Sequence, residues 1–421
     1  MMTKPHPVTS MNACLQTLLS YLHKYKVRYF LLTDFEADFA AGDIDLFVQD
    51  NSKAQFEALL KDFGWYKRKE ATYHRNHHFY YSPDLQVYLD VKYSLSFASG
   101  PDTCYTYTLE REALERAVLN SAGVYRPAGL DAMLLYAAHL AYKERGKLEP
   151  KHQAYLRQYL HQYRHELAGP GSNLQEALEQ WLAYGSPSST EKLQQIIAPY
   201  FVRHHRQMVR RNKLPKYGYG LKILFLGTDG AGKTTLIKAV EEKINFKAKC
   251  LYLGMGENGW TTPITKKLFH YRAGTGLLNK AFNLVKHLVL LPSEFLLRIA
   301  PVKSRSRFHV VLIDRFPGTV FVEKKPLSRL LYRAILPKPD LVFFLHASPE
   351  VLVQRKPQEL TLERSQADLL KFRQVAERVS GGKYISIDTT SISVDEARDK
   401  ILAEIYKNPK LHHNLLSISY N

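Results

Sequence analysis

Apolar positions along the chain fall into runs of two different periods. In the first hundred residues, short apolar runs predict strands at Val27–Leu32 (VRYFLL) and Ile44–Val48 (IDLFV). Phe79–Tyr81 and Gln86–Tyr93 (QVYLDVKY) predict a strand pair joined by the turn Ser82-Pro83-Asp84. Between these, Phe56, Leu59, Leu60 and Phe63 share one face of a helix over Ser52–Phe63. From about Leu109 to Tyr200 the spacing is helical nearly throughout. Leu130–Arg145 and His152–His165 are the most periodic stretches, with breaks at Gly169–Ser172 and Gly185–Ser188. The basic run from Arg203 to Lys216 reads as an exposed helix and hinge. The connector Tyr217–Gly220 then places the main boundary near residue 215.

Beyond that boundary the pattern changes. Leu221–Leu226 (LKILFL), His309–Ile313 (HVVLI) and Leu341–Leu345 (LVFFL) are unbroken apolar strands, as in a parallel sheet covered on both faces. Thr234–Ile244 predicts a helix. So does Lys286–Arg298, read as a core helix, with contact to a membrane surface or cover over an acceptor site as the alternatives. The prediction is an α/β chain in three parts: a mixed α/β domain over 1–105, a helical extension and linker over 106–215, and a parallel-sheet domain over 216–421.

Composition narrows the classes. A chain of 421 residues with 45% hydrophobic and 24% charged residues is globular rather than disordered. Cys14, Cys104 and Cys250 form no C-x-x-C pair, which excludes a disulfide scaffold and a cysteine-built zinc site and suits a reducing compartment. The opening residues lack a signal-peptide core, and no apolar stretch reaches the roughly 20 residues that span a bilayer, so a cytoplasmic location is expected. The net charge of +19 suits nucleic acid, an anionic membrane or several phosphate groups.

One motif decides among these. Gly227, Thr228, Asp229, Gly230, Ala231, Gly232, Lys233, Thr234 and Thr235 match G-x-x-x-x-G-K-[ST] between a predicted strand and helix. Glycines let successive N–H groups turn toward one anion, and the following helix adds its dipole. Lys233 is placed to reach the β/γ-phosphates, and the Thr234 hydroxyl to ligate Mg²⁺. His309–Asp314 is an apolar strand ending in an acid, which suits a carboxylate holding the same ion.

The motif G-x-D-G-x-G-K-T-T resembles the phosphate loop of thymidylate kinases and their relatives. Asp314-Arg315-Phe316 resembles that family's Asp-Arg-Tyr/Phe element. Pro339–Leu345 followed by Ser348–Lys356 resembles its strand and lid, the likeness extending over residues 219–407. The resemblance implies a P-loop, nucleoside-monophosphate-kinase-like fold using ATP and Mg²⁺. It also implies that Arg315 holds the acceptor's anionic group, that Asp229 faces the acceptor, and that Arg355 with Lys356 closes over the transferring phosphoryl. Past Phe316 the chain reads Pro317–Lys325 without the Ser and Ala-Tyr-Gln of thymidylate kinases. The acceptor therefore stays open between a nucleotide and a phosphorylated sugar.

The N-terminal part carries a second constellation. Asp43 and Asp45 lie two apart on a predicted strand, so both carboxylates point to one face and can share Mg²⁺, with Asp90 as a third from a neighbouring strand. This Asp-x-Asp segment resembles the nucleotidyltransferase superfamily that includes polymerase β. The upstream stretch Leu32–Glu36 lacks the family's glycine pair, so a degenerate member is expected. The expected activity is thus an ATP-dependent kinase acting on a small anionic acceptor. The alternatives are nucleotidyl transfer at the N-terminal carboxylates or a nucleic-acid-binding NTPase or regulator. Lys67–Lys69 and His74–His78 among tyrosines read as a solvated sheet edge before they read as a nucleic-acid surface. A homodimer stays open.

Overall fold

The apolar runs of the C-terminal half pair into one all-parallel sheet. The computed structural model describes residues 12–32, 43–68, 72–120, 122–147, 149–166, 171–184, 187–206, 208–210, 220–253, 267, 276–307, 309–315 and 336–420. The sheet runs, edge to edge, through Ala248–Tyr252, Val310–Asp314, Lys222–Gly227, Leu341–His346 and Ile385–Asp388. Every residue of Val310–Asp314 and five of the six in Lys222–Gly227 are buried. Alternate side chains serve opposite faces. Leu224 and Leu226 share a core cluster with Val302, Val375 and Ala376, while Phe225 stacks on Phe343 with ring centroids 5.4 Å apart. The helix Lys233–Lys243 packs on the first strand and against Val394–Tyr406.

The first strand is central, flanked by the third and fourth in chain order. That arrangement leaves a crevice outside the strands' carboxyl ends, where open α/β sheets bind ligands. This is the P-loop kinase fold.

The chain divides into two compact units, Met1–Leu214 and Pro215–Asn421. In the N-terminal unit a mixed sheet runs through Tyr29–Leu31, Asp43–Val48, Tyr88–Lys92, His77–Tyr81 and Tyr66–Lys67, with only Asp43–Val48 and Tyr88–Lys92 parallel. Helices Ala13–Lys24 and Lys53–Asp62 bury Leu18, Leu22, Phe56 and Leu60 in its core. A second core joins Phe30, Phe47 and Phe97 to Met133, Leu156, Trp181 and Phe201. Residues from the 1–105 and 106–215 stretches thus share one apolar interior.

Two expectations change. The basic run after Tyr200 is not helical where it is described. Phe201–His205 is a strand pairing antiparallel with Thr103–Tyr107, and Met208–Arg210 pairs with Thr72–His74. Edge strands favour exposed basic side chains, and only Phe201 of Phe201–His205 is buried. Residues 211–219, the expected hinge, lie outside the described residues. The stretch Lys286–Arg298 is helical, and its helix Leu291–Arg305 continues into the core through Ile299 and Val302, but the described side chains within the stretch are of mixed burial. Lys286, Glu294 and Arg298 are buried, whereas Val289, Leu296 and Leu297 are about half exposed, at 53%, 52% and 50%. Its charged side chains face inward because Glu294 and Arg298 pair one turn apart at 2.9 Å. Among the described residues no helix is long and apolar enough to cross a membrane.

Candidate phosphate-binding site

The central strand delivers Gly227 to the carboxyl edge of the sheet, where the chain must turn sharply into a helix. Gly227 has φ +156°, and a Cβ there would stand 2.1 Å from the Leu345 carbonyl oxygen of the adjacent strand. Gly232 caps the helix Lys233–Lys243 in the left-handed region at φ +79°. The loop thus turns tightly from the strand into the helix, at an N-terminus whose N–H groups lack intrahelical partners.

Lys233 folds back over this loop. Its Nζ donates to the carbonyl oxygens of Gly227 and Thr228 at 2.9 and 2.7 Å, and Asp229 Oδ1 lies 3.8 Å away. Burial pulls its ammonium from the ordinary 10.5 down to about 8, aided by Arg315 and Lys356 and opposed by Asp229 and Asp314. Asp229 also accepts from Arg315 at 3.2 Å. One carboxylate thus stands between two cations that phosphate oxygens could take over. Arg315 sits at φ +55°, unusual for a residue with a side chain, directly after Val310–Asp314, with its guanidinium 5.9 Å from the Tyr252 ring.

Asp314 fits a metal ligand. It is buried, its Oδ2 accepts from the Thr234 hydroxyl at 3.4 Å, and its Oδ1 has no hydrogen-bond partner. An unpaired buried carboxylate oxygen is costly unless a cation satisfies it. Together with the left-handed Gly232 at the start of the following helix, these residues suit ATP with Mg²⁺.

Arg355 ends the helix Pro349–Arg355, whose start is fixed by the Ser348 hydroxyl accepting from Val351 N–H. Its guanidinium donates to Gly230 O at 3.2 Å and to Thr389 O and Oγ1 at 2.7 and 3.3 Å. These bonds brace the loop from its side. Lys356 is held by Glu359 at 2.7 Å. Phe316 and Pro317–Lys325 lie outside the described residues.

Sequence reasoning missed Thr389. Its hydroxyl lies 3.3 Å from Ala231 O and 3.1 Å from His346 O, tying the loop to the end of the neighbouring strand. The only signal for it was its place just after an apolar run, at the carboxyl end of the fifth strand.

No protein-family model matches the chain, and no curated protein sequence does. Among solved structures, thymidylate kinase from Candida albicans is similar at 18% identity and TM-score 0.33, over 46% of this chain and 93% of that one. Thymidylate kinase from Ehrlichia chaffeensis is similar at 16% identity and TM-score 0.29, over 44% of this chain and 97% of that one. Strand order and loop geometry, not these likenesses, define the C-terminal fold.

The N-terminal carboxylates are arranged differently. Asp45 and Asp90 are register partners on adjacent parallel strands, so they share a face. The Lys92 ammonium pairs with Asp45 and lies 3.9 Å from Asp90, while His77 Nε2 pairs with Asp90. Burial pushes the Asp90 carboxyl up, but Lys92 and His77 outweigh it and hold the group below the usual carboxylate range. Lys92 thus bridges the two carboxylates on their shared face, through Oδ1 of each. The side chain of Asp43 and the stretch Thr33–Glu36 lie outside the described residues.

Proposed function

We infer that the C-terminal unit is an ATP- and Mg²⁺-dependent phosphotransferase that passes the γ-phosphoryl group to a small anionic acceptor, a nucleotide or a phosphorylated sugar. The observation that carries this reading is a buried Lys233 folded over a glycine loop, beside a buried Asp314 with one unpaired oxygen. Lys233 and the loop N–H groups hold the β- and γ-phosphates. Thr234 and Asp314 hold Mg²⁺, which when bound neutralises charge on the phosphate oxygens. Arg315, freed from Asp229, takes the acceptor's anionic group, and Asp229 remains beside it to orient the acceptor. Arg355 keeps Gly230 and the strand ends in register, so that the positive groups stay fixed while charge moves across the transferring phosphoryl. Positioning and fixed charge account for the catalysis, because phosphoryl transfer asks little covalent chemistry of the protein.

The test is an ATP-consumption screen over nucleoside monophosphates, sugars and sugar phosphates, run beside Lys233→Ala. One acceptor class should stimulate turnover, and Lys233→Ala should abolish it. Turnover that survives Lys233→Ala overturns the reading.

A further inference from the structure

A histidine and carboxylate cluster in the N-terminal unit plays no part in the phosphate site. His139, Glu144 and His152 each bring one ligand-type atom to within 4.8 Å of the others. The helix Gly129–Ala138 gives way to a π turn over His139–Lys143, in which Glu144 N–H donates to His139 O at 3.0 Å. In an α-helix, residues five apart diverge around the axis; an i→i+5 turn stacks them, and such turns cluster at functional sites. His139 Nε2 accordingly lies 3.5 Å from Glu144 Oε1. Arg145 and Gly146, at φ +52° and +77°, then turn the chain toward the helix Pro150–Gln162. The Tyr136 hydroxyl fastens the two helices by donating to the His152 carbonyl at 3.3 Å. His152, in the first turn, is only 6% exposed, and its Nδ1 has no hydrogen-bond partner.

We propose that His139, Glu144 and His152 bind a divalent transition metal, Zn²⁺ by the chemistry of the donor set. Two imidazoles and one carboxylate are the ligands of a zinc site that keeps a coordination position open. Ligand atoms about 2.1 Å from a tetrahedral ion stand about 3.4 Å apart, which the His139–Glu144 spacing of 3.5 Å already meets. A simple His139–Glu144 ion pair leaves the buried His152 Nδ1 unaccounted for, whereas a metal bound through that nitrogen would satisfy it. His139 and His152 also line a cavity of about 400 Å³, which places the open position on the cavity side. Lys143 and Arg206 line the same cavity, as do Asp45, Asp90 and the Lys92 that pairs with them, so its wall carries both signs of charge and the open position suits water.

The untagged full chain, stripped with a chelator, is titrated with Zn²⁺ against a chromophoric competitor. The expected result is one tight Zn²⁺ per chain, weakened about tenfold or more in His152→Ala and in Glu144→Gln, with Lys233→Ala binding as wild type does. Co²⁺ in the same site should give the visible absorption of a four-coordinate ion, lost in both cluster variants. Glu144→Gln changes a partly exposed carboxylate and carries the test if His152→Ala does not fold. Absence of tight Zn²⁺ binding, or equal affinity in wild type and Glu144→Gln, overturns the proposal.

Discussion

Replacing Lys233 by Met should stabilise the nucleotide-free protein and abolish its response to ATP. The side chain is 9% exposed, and its ammonium is held at about 8 instead of 10.5. At about 1.4 kcal/mol per tenfold change, burying that charge costs about 3 kcal/mol at neutral pH. Losing the two hydrogen bonds to Gly227 O and Thr228 O gives back about 1 kcal/mol each. Met fills the same slot without charge. The net gain is on the order of 1 kcal/mol, or about 2–4 °C in melting temperature for a unit of this size. Because the folded value lies below the unfolded one, wild-type stability climbs by about 3 kcal/mol between pH 8 and 10.5, so the wild type overtakes the variant within that window. ATP with Mg²⁺ reverses the order. At a hundred times the dissociation constant the wild type gains about 2.7 kcal/mol and the variant nothing. Differential scanning fluorimetry at pH 7 and pH 10, with and without nucleotide, reads all four states. A variant that melts below the wild type without nucleotide at pH 7, or one that keeps the ATP shift, refutes the reasoning.

Asp314→Asn keeps the side chain's shape but removes the charge beside Thr234. ATP turnover should fall about 10²-fold or more, and the Mg²⁺ dependence of nucleotide binding in calorimetry should disappear. Gly227→Ala should destabilise by on the order of 3 kcal/mol, because its Cβ meets the Leu345 carbonyl; Gly232→Ala, left-handed but with open space, should lose only about 1–2 kcal/mol in urea unfolding. In the N-terminal unit, burial pushes Glu57 up, but hydrogen bonds from His78, Lys67 and Tyr80 outweigh it and hold the carboxylate well below its ordinary 4.5. Its stabilisation is present in full above that pH and is lost as the pH falls further, so Glu57→Gln should flatten the acid limb of the stability curve.

The phosphate loop was legible because its chemistry needs contiguous residues, and Asp314 because an acid ending an apolar strand interrupts the pattern. Thr389 was not, since Ala231, His346 and Arg355 are distant in sequence and meet it only when the sheet forms. The π turn at His139 escaped notice because Met133–Tyr142 is buried on nearly every side, so the phase shift of one inserted residue leaves no mark in the apolar pattern. Charge obscured the strand Phe201–His205, whose partner Thr103–Tyr107 lies a hundred residues upstream. The spacing of Asp43 and Asp45 indicated a shared face. It carried no information about Lys92, which reaches Asp45 from the neighbouring strand.

The central position of the first strand has a consequence for the making of the protein. Lys222–Gly227 finds its neighbours only in Val310–Asp314 and Leu341–His346, and Lys222 N–H is held by the Asp340 carboxylate at 2.7 Å. A nascent chain therefore carries the whole nucleotide loop on the ribosome long before any strand exists to set Gly227 against Leu345. Such non-local pairing is slow and leaves apolar edges exposed in the meantime. Nucleotide capture should accordingly arise late in synthesis, after Leu345 has emerged, and report completion of the sheet rather than of the loop.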